Sequence, residues 1–70
     1  MARKRIQLIT YSGRVIPVGD SAVLDDNYRV TVDRIRPPYD DGDNGSVGVR
    51  FEWGATENVD PVRLRAYISS

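Results

Sequence analysis

Apolar and polar positions alternate most cleanly over Val47–Trp53. Val47, Val49, Phe51 and Trp53 share one parity, while Gly48, Arg50 and Glu52 take the other. A period of two places one set on a buried face and the other in water, so this stretch predicts a β-strand with Phe51 and Trp53 in the core rather than as a stacking platform for a ligand. The same reading continues along the chain. Residues 5–11 are rich in β-branched and aromatic types and predict a first strand, which Ser12-Gly13 turns into a second apolar run at Arg14–Val18. Pro17 has no ladder donor, so that run is an edge or stops there. Gly19-Asp20 turns the chain into Ala22–Leu24, and Asp25-Asp26-Asn27 turns it again, because Asp and Asn tolerate left-handed backbone.

Tyr28–Arg36 predicts the longest strand. Val30 and Val32 share a face with Tyr28, but Ile35 is out of step by one residue, and a β-bulge at Asp33-Arg34 restores the alternation. Pro37-Pro38 ends the strand, and Tyr39–Gly45 forms a polar loop whose Asn44-Gly45 feeds the Val47 strand. Gly54–Asn58 is expected as a turn. Asp60-Pro61-Val62-Arg63-Leu64 predicts one tight helical turn, with Asp as cap and Pro in first position, before a closing strand at Ala66–Ile68. No window carries a helical stripe of three turns. The expected fold is all-β: five or six short antiparallel strands in a closed or nearly closed barrel, with one 3-10 turn before the last strand.

The order of these elements resembles SH3-like small barrels of the KOW, Tudor and photosystem I subunit IV kind. The resemblance spans about residues 19–68 and rests on the Gly19-Asp20 turn, the Val47–Phe51 strand after a long loop, and Asn58–Leu64 before the final strand. The Val49-Arg50-Phe51-Glu52 string is similar to the photosystem subunit. The resemblance implies the fold and not an activity, since one fold hosts many functions. Residues 1–18 lie outside it and read as an added hairpin or as part of the barrel.

Seventy residues make one domain, and a chain of this length buries only roughly 60% of its unfolded surface. The sequence contains no cysteine and no histidine, which excludes disulfides, zinc fingers and imidazole chemistry. No apolar run approaches the roughly 20 residues of a membrane span. A basic start followed only by Ile6, Leu8 and Ile9 is not a signal peptide. The chain reads as cytoplasmic, or as a component of a virion.

Ten basic and ten acidic side chains cancel, which argues against a chain built around a strong nucleic-acid field. The charges are unevenly placed. Arg3, Lys4 and Arg5 belong to a basic arm at residues 1–4 and the start of the first strand, whereas Asp40, Asp41 and Asp43 cluster mid-chain. That acidic cluster departs from a calcium loop, because the fifth and sixth positions from Asp41 are Gly45 and Ser46. A solvated loop is the reading adopted, so neither metal nor cofactor is expected. For the middle-strand arginines Arg29, Arg34, Arg36 and Arg50, ion pairing with Asp33 or Glu52 is the simpler account. Serines and threonines lack any histidine to activate them, and acids in solvated turns keep ordinary pKa values, so no catalytic site and no small-molecule substrate are expected.

The function expected is a non-enzymatic protein-interaction module, a small subunit or accessory protein of a larger assembly, for which a viral or phage protein suits the size. Its partner is another protein or a second copy. Tyr39 and Tyr67 are the surface anchors, since tyrosine is enriched at interfaces, with Arg34, Arg36 and the basic arm beside them. The alternative is a nucleic-acid-binding barrel in which Arg3, Lys4, Arg5, Arg34 and Arg36 meet the phosphate backbone.

Overall fold

The computed structural model describes residues 6–40 and 42–69. Among them seven strands form: β1 (Gln7–Thr10), β2 (Val15–Ile16), β3 (Ser21–Leu24), β4 (Tyr28–Arg36), β5 (Ser46–Phe51), β6 (Thr56–Val59) and β7 (Ala66–Ser69), with a 3-10 turn at Pro61–Leu64 before β7. All pairings are antiparallel. They make a three-stranded sheet in the order β2-β1-β7 and a four-stranded sheet in the order β3-β4-β5-β6.

The fold is all-β, as the alternation predicts, but the two sheets are not closed into a barrel. Among the described residues no strand pairing joins them, so β2 and β7 remain the edges of one sheet and β3 and β6 the edges of the other. The number of strands also exceeds the five or six expected. Thr56, Glu57 and Asn58, expected in a turn, belong to β6, where they face Arg50, Val49 and Gly48 of β5. Residues 7–16 are integral rather than appended: β1 pairs with β2 as a hairpin and with β7 on its other side.

The core lies between the sheets. Leu8 and Ile16 with Ala66 enter from the smaller sheet; Ala22, Leu24, Val30, Val32, Val47, Val49 and Val59 enter from the larger, and Leu64 comes from the 3-10 turn. Burying a Val or Leu side chain fully contributes about 1.5–3 kcal/mol, so this set supplies most of the driving force. The register of β4 on β5 jumps between Val32 and Arg34, at the place where the sequence requires a bulge. It leaves Val32 opposite Val49 and Ile35 opposite Val47, so both stay on the inner face.

Turn chemistry follows the sequence closely. Asp25 and Asp26 both take left-handed backbone, with φ of 53° and 58°. Asp60 caps the 3-10 turn, its carboxylate accepting the Val62 N–H at 2.9 Å, with Pro61 in first position. The turn ends at Arg65 in left-handed conformation, whose N–H donates to carbonyls of the turn. This turn also ties the sheets together. The Asp25 N–H donates to the Arg63 carbonyl at 2.9 Å, and the Arg63 guanidinium donates back to the Asp25 carboxylate through Nε at 3.1 Å and Nη2 at 2.6 Å.

Candidate functional site

Two surfaces collect the side chains that could recognise a partner. The first lies where β4 begins and β5 ends. Tyr28 opens β4, Phe51 closes β5, and Trp53 follows in the turn toward β6. Phe51 and Trp53 stack with ring centroids 4.7 Å apart and planes 15° from parallel. Tyr28 stands edge-on to both, at 6.2 Å from Phe51 and 6.3 Å from Trp53. Only Phe51 is packed against the core. Trp53 is 67% exposed and Tyr28 44% exposed, which corrects the expectation that parity puts Trp53 in the core. The alternation runs past the strand itself: β5 ends at Phe51, and Trp53 stands beyond it in the turn with most of its side chain in solvent.

The second surface is the outer face of the larger sheet. Val23 pairs with Arg29, Thr31 with Arg50, Arg34 with Gly48 and Arg36 with Ser46, so Arg29, Arg34, Arg36 and Arg50 all stand on the solvent side. Across β5, Gly48 and Arg50 face Asn58 and Thr56. Arg50 reaches Asp33 at 3.4 Å, so Asp33 pairs across the strands with Arg50 and not with Arg29, the residue whose parity it shares in sequence. Arg34 and Arg36 form no ion pair among the described residues.

The remaining candidates are scattered. Tyr39 is 86% exposed at the start of the polar loop. Tyr67 sits on β7 beside Ile9, which faces Val15 on its other side, so an apolar row crosses the outside of the smaller sheet. Tyr67 also lines a shallow groove of about 200 Å³ with Tyr11, Pro38, Pro61 and Val62. Arg3, Lys4 and Arg5 lie outside the described residues.

The acidic loop is organised by its own backbone. Asp43 accepts the Tyr39 N–H on Oδ2 at 3.0 Å and the Gly45 N–H on Oδ1 at 2.9 Å, and these two bonds hold its carboxyl below the usual carboxylate range. Asp40 accepts the Gly42 N–H. Asp25 is likewise held low by its hydrogen bonds from Arg63, whose own pKa is raised in return. Among the described residues no three His, Cys, Asp or Glu side chains gather in a way that could hold a metal ion, and no helix is long and apolar enough to cross a membrane.

Comparison with protein-family models, with curated proteins and with solved structures finds no match for this chain. In the aromatic cluster, an exposed platform of Phe51 and Trp53 is the reading that parity sets aside in favour of the core, and the part of Tyr28 is not foreseen. The signal for exposure is faint but present: Trp53-Gly54 follows the last alternating pair, and a strand that turns at once carries its final side chain past the layer that would cover it.

Proposed function

We propose that this chain is a non-enzymatic protein-docking module, a small SH3-like subunit or accessory protein of a larger assembly in the cytoplasm or in a virion. The observation that carries this reading is the uncovered Tyr28–Phe51–Trp53 cluster. Trp and Tyr dominate the energetics of protein interfaces because each buries a large apolar area and freezes few rotors. Here the three rings already brace one another, so little conformational freedom remains to be lost on docking. The occupant is an apolar segment of a protein partner. The element order, with its 3-10 turn ahead of the last strand, supports the SH3-like assignment.

The test compares the wild-type chain with Trp53→Ala as bait at moderate salt. The expected result is a partner held by the wild type and lost by the variant, both proteins folding alike. A partner held equally by both would refute docking at the cluster. A second reading, nucleic-acid binding, is favoured by Arg34 and Arg36 standing together on an exposed face without ion-pair partners among the described residues.

A further inference from the structure

Charge pairing divides the described arginines into two groups. Arg14, Arg50, Arg63 and Arg65 each meet an aspartate: Asp20, Asp33, Asp25 and Asp26. Arg29, Arg34 and Arg36 meet none among the described residues. All three belong to β4 and all three are exposed. Strict alternation would put Arg29 on one face and Arg34 and Arg36 on the other. The bulge at Asp33 cancels that difference and sets the three in one row on the solvent side of the larger sheet, with Arg50 beside them. A chain of zero net charge thus carries a local excess of positive charge along one strand of an exposed sheet face.

The rest of that face narrows the partner. Thr31, Ser46, Thr56 and Asn58 supply hydroxyl and amide groups, and Val23 is its one large apolar side chain on the paired strands. Gly48 presents no side chain, leaving an open dip of about 230 Å³ between Arg34 and Asn58, with Asp33 and Glu57 also on its rim. A protein interface of this breadth would centre on aromatic or aliphatic anchors. Arginine with Ser, Thr and Asn and almost no apolar contact is instead the set that meets phosphate and sugar. The rings of Tyr28, Phe51 and Trp53 lie at the other parity, so this face offers no platform for stacking unpaired bases.

We propose that the outer face of the larger sheet docks on the phosphate backbone of a double-stranded nucleic acid, without reading sequence. The row from Arg29 to Arg36 runs about 20 Å at the usual strand rise, which matches the axial rise of about six base pairs of duplex. The face acts independently of the aromatic cluster, so each can fail without the other.

The experiment is fluorescence anisotropy of a labelled mixed-sequence duplex titrated with the full chain across a salt series. Neutralising three phosphates predicts an affinity loss of at least about 40-fold between about 50 and 200 mM salt. The combined Arg29→Gln, Arg34→Gln and Arg36→Gln variant should bind at least tenfold more weakly at low salt, with an unchanged circular dichroism melt. Should it fold poorly, Arg34→Gln alone should lower the salt slope by about one. Arg14→Gln, which lies off the face, should bind as wild type does. Four results would overturn the proposal: no duplex binding at low salt, equal binding by the triple variant, loss of all binding on changing only Arg3, Lys4 and Arg5 to Gln, or tighter binding of a polyglutamate peptide than of the duplex.

Discussion

Asp43 commits both carboxylate oxygens to the backbone of its own loop, and Gly45 is the residue it holds in place. Because the folded-state pKa of Asp43 is lowered, its stabilisation is fully present above the ordinary value of 3.8 and is lost as pH falls below it through the folded pKa. Asn at this position offers one carbonyl oxygen for two N–H donors. Asp43→Asn should therefore melt below wild type at neutral pH, with the gap closing on acidification below that value. A gap constant from neutral to acid pH in thermal melts would contradict it. Gly45 has φ of +79°, and a Cβ there would sit 2.5 Å from the Arg36 carbonyl oxygen and 2.8 Å from Ile68 Cδ1. Backbone strain and a backbone clash combine, so Gly45→Ala should cost about 3 kcal/mol or more in urea unfolding. At this scale the sequence is informative wherever chemistry is local. Asp60-Pro61 announces its cap, and Asp25-Asp26-Asn27 announces left-handed turn residues, because each acts on backbone within a few positions. Trp53 departs from its parity because burial depends on how far a separate layer extends, which no neighbouring residue encodes.

Among the strands, β4 shows both what pattern reveals and why it works. Ile35 out of phase with Val32 requires one extra residue, and the register jump supplies it. Deleting Asp33 would join Val32 directly to Arg34 and leave Ile35 inside and Arg36 outside in an unbroken ladder. That deletion should keep cooperative folding at a cost of about 1–2 kcal/mol. Deleting Thr31 instead would slip Val30 to the wrong face and should abolish the cooperative melt. Circular dichroism melts of the two deletions distinguish these outcomes, and the reverse order would refute the bulge assignment. By contrast β6 escaped notice for a physical reason. It is an edge strand whose first three residues are exposed, so only Val59 marks an inner face and no alternation can be seen. Strand pairing with β5 defines it, and pairing is not a property of its own sequence.

Across the whole molecule, zero net charge conceals a segregated surface. Aspartates neutralise Arg14, Arg50, Arg63 and Arg65, while the β4 row remains unpaired among the described residues. Composition averages over this arrangement, and only the register of the sheet reveals it. Closure was illegible for a related reason: alternation tells which face of a strand is wet, not whether two sheet edges meet. The two sheets share one core but leave Trp53 exposed, and that end is the docking site proposed for a partner. Trp53→Ala removes an indole that is 67% exposed, so it should lower stability by no more than about 1 kcal/mol while abolishing partner retention.

The most direct measurement uses Trp53 as its own probe, since it is the single tryptophan of the chain. Its emission and its quenching by acrylamide would be recorded on the dilute chain and again after addition of the partner retained by the wild type. A docking surface predicts red-shifted, readily quenched emission that turns blue and protected on binding. Blue, protected emission at dilution would place Trp53 in a core after all, and emission unchanged by the partner would put docking elsewhere.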